Sequence, residues 1–282
     1  MEIFAMSLQD PPGRPTSTSS SRFTTSKLPY GAGPQQFGEL YVPSNPGPHP
    51  VVILIHGGFW RAPYGLTLMT GLAEDLAQRG IAAWNIEYRR VGDPGGGWPG
   101  TLLDVAHAAD YLRTLANRYP LDLQRIVATG HSAGGHLALW LAARPRIPQN
   151  SSLAQATPPL KLTGVVSQAG AMDLEHVWRL NLGGGAAAEL LGGSPNTVPE
   201  RYIAASPAEH LPLGVPQALI HGTVDDRVPL VVSQDYARKA RVAGDMITLI
   251  ELPGADHFVL IDPTSAAWNS TVEATKKLLF YT

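Results

Sequence analysis

Apolar runs alternate with amphipathic stretches along most of the chain, and this alternation predicts strands followed by helices. One segment, 37–43, alternates polar and apolar positions as an edge strand does. Six later segments are predicted as strands, of which 50–58 and 123–130 are expected to be buried: 50–58, 81–90, 123–130, 161–170, 216–223 and 246–254. Apolar residues at helical spacing predict helices between them: 66–80, 101–120, 230–244 and 264–281. Strands that alternate with helices predict a mostly parallel sheet, with right-handed crossovers and helices on both faces.

Two segments depart from this alternation. Residues 1–27 are rich in Ser, Thr and Pro and lack the basic region and apolar core of a secretion signal. We therefore expect a disordered N-terminal tail, followed by a single domain over residues 28–282. Residues 171–214, rich in Gly, Ala and Pro, lie between two predicted strands. They are predicted to form a small cap over the carboxyl edge of the sheet, where ligands bind in open α/β folds, or alternatively a helix with a long loop.

Composition limits the classes of function. The 282 residues carry a formal net charge of -2, which argues against nucleic acid or an anionic membrane as a partner and favours a small-molecule substrate. The chain has no cysteine, so a nucleophile must be an oxygen or a nitrogen. No segment is long and apolar enough to span a bilayer, and we expect a cytoplasmic protein of undetermined oligomeric state.

The pentapeptide Gly-His-Ser-Ala-Gly at residues 130–134 has the G-x-S-x-G pattern of a nucleophile elbow. It follows a predicted strand directly and precedes an apolar helix directly, as an elbow requires. A tight strand-to-helix turn leaves no room for a large side chain two positions before or after the serine. The alternative is that Ser132 merely caps the helix, but a capping serine needs no glycine two positions before it. The pattern therefore favours Ser132 as a nucleophile.

A serine nucleophile needs an acid and a histidine, which follow it in that order in chains with this elbow. Asp225 and Asp226 follow the strand at 216–223, and His257 lies in the loop after the last strand. His257 is the predicted base, and Asp225 is favoured as the acid because it comes first after the strand. Asp226 stays open, as a turn cap or as the acid. Two further aspartates are weaker candidates: Asp173 and Asp256.

Acyl transfer also needs amide donors for the oxyanion, and losing one donor typically costs about 2.7 to 4 kcal/mol of transition-state stabilisation. The segment Ile-Leu-Ile-His-Gly-Gly-Phe-Trp-Arg begins as an apolar strand that ends at His56, and the two glycines that follow let the backbone turn its amides toward the elbow. We expect the amides of Gly58, Phe59 and Ala133 to be the donors. Three side chains near these motifs are candidates for substrate contact: Trp60, Trp98 and His131. Each has the alternative of packing as an ordinary buried or loop side chain.

Together, GHSAGG and HGGFW resemble motifs of the α/β-hydrolase superfamily, in the branch of hormone-sensitive-lipase-like esterases and kynurenine formamidases. The esterases usually carry HGGG, whereas Phe59 replaces the third glycine here and gives the HGGxW form associated with the formamidases. The stretches HGTVDDRVP and GADHF resemble the family's acid and histidine loops, which supports Asp225. The likeness covers residues 37–282.

The resemblance implies an α/β-hydrolase fold and a triad of Ser132, Asp225 and His257 that acts without a metal or an organic cofactor. It implies a carboxylesterase for small esters, which would proceed through an acyl-enzyme intermediate. One alternative is an arylformamidase that cleaves N-formylkynurenine. Another is a ligand-binding protein on the same fold that lacks catalysis.

Overall fold

A single sheet forms the centre of the computed structural model, which describes residues 22–280. Its strands are β1 (Phe23–Pro29), β2 (Phe37–Pro43), β3 (His49–Ile55), β4 (Ala82–Ile86), β5 (Leu121–His131), β6 (Gly164–Gln168), β7 (Gln217–Gly222) and β8 (Ile247–Leu252). They lie in the order β1-β2-β4-β3-β5-β6-β7-β8. The first three strands in this order pair antiparallel, and all later pairs are parallel. The mostly parallel sheet predicted from the sequence is therefore confirmed.

Helices connect the parallel strands. They are α1 (Thr70–Gln78), α2 (Gly100–Asp110), α3 (Leu112–Leu115), α4 (Ala133–Ala143), α5 (Leu174–Arg179), α6 (Ala186–Leu191), α7 (Pro199–Ala205), α8 (Val231–Ala243) and α9 (Ala266–Leu279). Short 3-10 turns occur at Leu66–Met69, Arg144–Arg146, Pro207–His210 and Val259–Ile261. The helix predicted over 101–120 is divided into α2 and α3, which meet at Tyr111.

The core has two layers, one on each face of the sheet. Along β3, Val51, Ile53 and Ile55 point into the layer that contains α2 and α4, whereas Val52 and Leu54 point into the layer with α1 and α9. Successive side chains of a strand point to opposite faces, so a strand covered on both faces must be apolar at every position. This explains the continuous apolar run of β3.

The N-terminal part differs from the prediction. Residues 1–21 of the predicted tail lie outside the described residues, but Phe23 to Lys27 belong to β1, so the tail boundary at residue 27 is wrong. The register of β1 on β2 runs from Phe23 opposite Pro43 to Pro29 opposite Phe37. Most of the β1 side chains are solvent-exposed or half-buried, because this strand lies at the edge of the sheet. Its sequence therefore lacks the apolar run that marks the central strands.

The segment between β6 and β7 contains α5, α6 and α7, which are short helices separated by turns. Gly183, Gly184 and Gly185 lie in the left-handed region, with φ of 59°, 64° and 89°. Three successive residues with positive φ explain why helical periodicity was not visible in this glycine-rich stretch. Among the helices of residues 22–280, none has both the length and the apolar character needed to cross a membrane.

Candidate active site

Ser132 lies in a strained turn between β5 and α4. Its φ of 55° and ψ of -119° are unusual for a residue with a side chain. Its backbone N–H donates to the Gln168 carbonyl at 2.7 Å, so the hydrogen bonding between β5 and β6 continues into the turn. Strain of this kind persists only where the surroundings enforce it, and here they leave Ser132 only 3% exposed.

Glycine is required on both sides of this turn. A Cβ at Gly130 would lie 2.1 Å from the Gly134 carbonyl oxygen, and a Cβ at Gly134 would lie 2.0 Å from the Ile55 carbonyl oxygen. Both distances are far below van der Waals contact. The steric reason for the G-x-S-x-G spacing is therefore present in the structure.

The position of Ser132 at the start of α4 bears on the alternative that this serine only caps the helix. Ser132 does occupy the position before the first residue of α4, and its carbonyl accepts from the His136 N–H at 3.2 Å. Among the described residues, however, its hydroxyl makes no capping hydrogen bond to the helix. The hydroxyl is not used as an ordinary N-cap.

The predicted acid and base lie together. His257 Nδ1–H donates to Asp225 Oδ2 at 2.6 Å, and the side chains of both residues are almost completely buried. The other carboxylate oxygen, Oδ1, accepts from the N–H groups of Arg227 and Val228, each at 2.8 Å. Asp226 points away, because its side chain is 72% exposed and lies 3.4 Å from Arg227 Nε. The geometry thus selects Asp225 over Asp226 as the partner of His257.

The environment of Asp225 keeps its carboxylate ionised. Burial raises the pKa of Asp225, but hydrogen bonds from His221 and His257 outweigh burial and hold the pKa well below its usual range. His221 is fully buried, with Nε2 3.4 Å from Asp225 Oδ2 and 2.8 Å from the Val228 carbonyl oxygen. His221 Nδ1 lies 2.7 Å from Ser233 Oγ. A second histidine therefore lies beside Oδ2, the carboxylate oxygen that His257 also contacts.

His131 connects the elbow to the histidine loop. Its Nε2–H donates to the backbone carbonyl of His257 at 2.9 Å, and the centroids of the two rings are 4.4 Å apart. Burial, followed by the neighbouring His257, lowers the pKa of His131 to about 3, so its ring is neutral at pH 7. The sequence predicts a substrate contact for His131. In the structure this side chain is buried and links the elbow to the backbone of His257.

The loop after β3 lies against the elbow. A Cβ at Gly57 would lie 2.8 Å from the His131 carbonyl oxygen and 3.0 Å from Ser132 Cβ, so only a glycine permits this approach. Gly58, Phe59 and Trp60 all have positive φ, of 110°, 51° and 57°. The predicted donors Gly58 and Phe59 therefore occupy an irregular turn beside Ser132, and Ala133 opens α4.

The two predicted tryptophans pack against neighbouring elements. Trp60 is fully buried in the core, and its ring makes an edge contact with His136 at a centroid distance of 5.3 Å. Trp98 is half-buried, and the guanidinium of Arg201 on α7 lies 5.8 Å from its ring centroid. Trp60 thus lies in the core, which was the alternative to a substrate contact. Trp98 lies next to the segment between β6 and β7.

That segment also contacts the predicted oxyanion loop. Arg61 Nε–H donates to Glu189 Oε2 at 2.7 Å, and the Arg61 guanidinium donates to the Gly183 carbonyl at 2.7 Å. A Cβ on Gly183 would lie 2.6 to 2.8 Å from the Phe59 ring. Gly183 of this segment therefore lies directly against the ring of Phe59, a residue whose backbone N–H is an expected oxyanion donor.

Sequence patterns assigned no role in the site to three polar residues that lie around it: His56, Glu87 and His221. His56 and Glu87 each follow the end of a strand, and His221 belongs to β7 four residues before Asp225. Their position at the carboxyl edge of the sheet was a signal in the sequence. The sequence carried no signal for the contact between His56 and Glu87, because that contact depends on the register of β3 and β4. No three His, Asp or Glu side chains within residues 22–280 are grouped as a metal site would require.

Comparison with known proteins gives a family and a fold. A family model described as BD-FAE matches residues 39–240. Esterase LipC of Mycobacterium tuberculosis is 28% identical over 247 residues, which are 83% of this chain and 59% of LipC, so the chain spans less than two thirds of that relative. Kynurenine formamidase avaC of Aspergillus versicolor is 34% identical over 139 residues, 45% of either protein.

Among solved structures, a truncated carbohydrate esterase from gut microbiota superposes with a TM-score of 0.80 at 22% identity. The superposition covers 92% of this chain and 98% of the esterase. At this level of identity the likeness establishes the fold, which is the α/β-hydrolase fold.

Proposed function

Because the chain belongs to the BD-FAE family, we propose that it is a serine hydrolase that cleaves small carboxylic esters. Ser132 is the nucleophile, His257 the general base and Asp225 the acid that orients His257. The single observation that carries this proposal is the 2.6 Å hydrogen bond from His257 Nδ1 to a buried carboxylate, beside a serine in a strained elbow.

In the first half of the reaction, Ser132 Oγ attacks the ester carbonyl carbon while His257 takes the hydroxyl proton. The carbonyl oxygen becomes an oxyanion, which the amides of Gly58, Phe59 and Ala133 stabilise. When the tetrahedral intermediate collapses, the C–O bond to the leaving alcohol breaks and His257 returns the proton to that alcohol. Water then attacks the acyl-enzyme by the same route and releases the carboxylic acid.

The ionised Asp225 suits this cycle. A carboxylate held by two backbone N–H groups and by His221 fixes the His257 ring and stabilises its positive charge when the ring takes the proton. His131 adds a second restraint, because it holds the His257 backbone next to the elbow. The base is therefore oriented through its ring and through its main chain.

A substrate that is a small ester agrees with the relatives, since LipC is described as an esterase. We further propose that residues 171–214 act as a small cap, which the contacts of Arg61 with Glu189 and Gly183 support. A cytoplasmic location stays a prediction that cell fractionation would test.

A second candidate function is arylformamidase activity. The 34% identity to a kynurenine formamidase favours it, and so does the Phe59 ring packed under Gly183, because a formyl group needs little room on the acyl side. Rates on N-formylkynurenine and on acetyl, butyryl and longer p-nitrophenyl esters would decide between the candidates. A preference for acyl chains longer than acetyl would argue against the formamidase.

The test of the nucleophile is Ser132→Ala. Removing the hydroxyl should lower the kcat for p-nitrophenyl acetate by about 10⁴-fold or more and abolish labelling by a fluorophosphonate probe. The matched control is Ser270→Ala, because Ser270 is a half-buried serine on α9 whose hydroxyl donates to the Ala266 carbonyl of its own helix. Labelling that survives in Ser132→Ala, or a wild-type protein that neither labels nor hydrolyses esters, would refute the proposal.

A further inference from the structure

A buried cluster of charged side chains lies under the loop that carries the expected oxyanion donors. His56 is completely buried at the end of β3, and its Nε2 lies 2.8 Å from Glu87 Oε1. Glu87 follows β4, and the register that pairs Ile55 with Ile86 brings the two residues side by side. The Arg90 guanidinium lies 3.1 Å from the same Glu87 oxygen.

Both ring nitrogens of His56 face oxygen atoms that can only accept. Nε2 faces the Glu87 carboxylate, and Nδ1 lies 2.7 Å from the backbone carbonyl oxygen of Gly57. Burial raises the pKa of Glu87, but the hydrogen bond from His56 and the positive charges of His56 and Arg90 lower it below its usual range. An ionised carboxylate and a carbonyl have no proton to give, so each contact needs a proton on the imidazole. Both contacts can be hydrogen bonds at the same time only when the ring carries a proton on each nitrogen.

Charge balance leads to the same conclusion. Glu87 and Asp93 bring two negative charges into the cluster, Arg90 brings one positive charge, and all three side chains are at most 10% exposed. A positively charged His56 makes the group neutral, which a poorly solvated site favours. The face of the Tyr88 ring stacks on His56 at a centroid distance of 4.3 Å, a position suited to a cation.

The Gly57 carbonyl connects this cluster to catalysis. In a trans peptide the carbonyl oxygen and the following N–H point to opposite sides of the chain. His56 holds the Gly57 oxygen on the buried side, so the Gly58 N–H faces the other way, and Gly57 itself packs against Ser132. The hydrogen bond from His56 thus fixes the plane of the peptide that carries an expected oxyanion donor.

We propose that His56 is a positioning residue whose imidazolium, paired with Glu87, turns the Gly58 N–H toward the oxyanion and places a positive charge behind it. The proposal rests on the proposed function, because an oxyanion forms only if Ser132 attacks a carbonyl. The groups that face His56 are Glu87 and Tyr88 from the end of β4. Arg90 reaches Glu87 from the following loop, where Asp93 in turn binds Arg90.

The first test is spectroscopic and independent of activity. A long-range ¹H–¹⁵N spectrum of the full chain at pH 7, with labelled histidine, should show His56 protonated on both nitrogens. The signals are assigned by their loss in His56→Gln. The chain has nine histidines, and His131, with its pKa lowered to about 3, serves as the neutral reference in the same sample. A His56 ring with one bare nitrogen would overturn the proposal, whether or not the protein hydrolyses esters.

The second test is kinetic and uses Glu87→Gln, which removes the charge with little change of shape. We expect kcat to fall about 10- to 100-fold with KM within about twofold of wild type, because the affected donor acts on the transition state. Affinity for a trifluoromethyl ketone, which forms a tetrahedral oxyanion adduct on a serine, should fall by the same factor.

The matched control is Asp110→Asn. This variant also changes a carboxylate to an amide in a largely buried ion pair. Asp110 Oδ2 lies 2.6 Å from the Arg144 guanidinium, away from the loop after β3. This variant should keep the wild-type kcat and ketone affinity. An unchanged kcat in Glu87→Gln, or a rise in KM alone, would overturn the proposal. If that variant does not fold, the spectrum of the wild-type protein still decides.

Discussion

Two buried histidines belong to the candidate site, one bonded to the predicted acid and one at the start of the loop with the predicted oxyanion donors, and they are held differently. His257 gives Nδ1 to Asp225 and has its main chain fixed by His131. Its Nε2 is the nitrogen that a general base offers to the nucleophile. His56 has both nitrogens committed to oxygen acceptors. One ring keeps a nitrogen free of the contact with its carboxylate, whereas both nitrogens of the other contact oxygen atoms.

The difference teaches that the surroundings of an imidazole, and not its burial, decide what it can do. Both rings are nearly inaccessible, and both lie beside a carboxylate. A base must gain and lose a proton in every cycle, so it needs one nitrogen directed at the reaction. A positioning group must stay constant through the cycle, so both nitrogens are occupied.

The largest expected effect tests the acid side. Asp225→Asn should lower kcat by about 10⁴-fold, because an amide that donates to Nδ1 would force the wrong tautomer on His257. Asp226→Asn is the matched control and should stay within about twofold of wild type, since its exposed side chain lies away from His257. Steady-state rates on p-nitrophenyl acetate measure both. Greater damage from the change at Asp226 would reverse the assignment of the acid.

A smaller effect concerns the free energy of unfolding, to which the carboxylates of Asp225 and Glu87 both contribute. The pKa values of Asp225 and Glu87 are both lowered from usual values of 3.8 and 4.5. Each carboxylate therefore stabilises the fold above its unfolded pKa, and this stabilisation is lost as the pH falls from there through the folded pKa. Between pH 7 and 3.5, wild-type protein should lose on the order of 0.5–1.5 kcal/mol more than Asp225→Asn or Glu87→Gln.

Urea unfolding at pH 7, 5 and 3.5 measures this difference. Asp226→Asn again serves as the control and should follow the wild-type pH dependence. A variant at position 225 with the same acid dependence as wild type would show that its carboxylate is not held as strongly as the contacts imply. The same result at position 87 would weaken the argument for a charged pair with His56.

The smallest effect concerns the contact between Arg61, in the loop with the predicted oxyanion donors, and Glu189. Glu189→Gln removes the charge that pairs with Arg61, but both side chains are about one third or more exposed, so stability should change by about 0.5 kcal/mol or less. Because Arg61 also donates to the Gly183 carbonyl, the loop should keep its shape, and kcat should change less than twofold. Thermal unfolding and ester kinetics check both values. A tenfold loss of kcat would mean that the predicted cap supports the loop more than the buried pair does.

The central strands and the chain order of the site residues could be predicted because each signal is local. β3 is apolar from Pro50 to Ile55, and Asp225 and His257 each follow a strand whose carboxyl end lies at the same edge. The proximity of Asp225 and His257 followed from topology alone. Strand β1 escaped prediction because an exposed edge strand has no apolar run, and α5 to α7 escaped it because they are short and separated by turns.

The supports of the site could not be predicted in the same way. His56 and Glu87 are 31 positions apart, and their contact depends on the register of β3 and β4. His131 reaches His257 across 126 positions. Pattern and spacing show where a strand ends but not which residue of a neighbouring strand lies beside it. Sequence reasoning therefore named the groups expected to react but not the contacts that hold them in place.

The crowding at the elbow has a consequence for protein engineering. Because a Cβ at Gly130 or Gly134 would overlap a main-chain oxygen, no choice of amino acid can be accommodated there by repacking side chains. A combinatorial library that randomises these codons would consist mostly of molecules unable to form the turn. Diversity aimed at new substrates is better placed at Phe59 and along the segment between β6 and β7, where neighbouring side chains and turns can adjust.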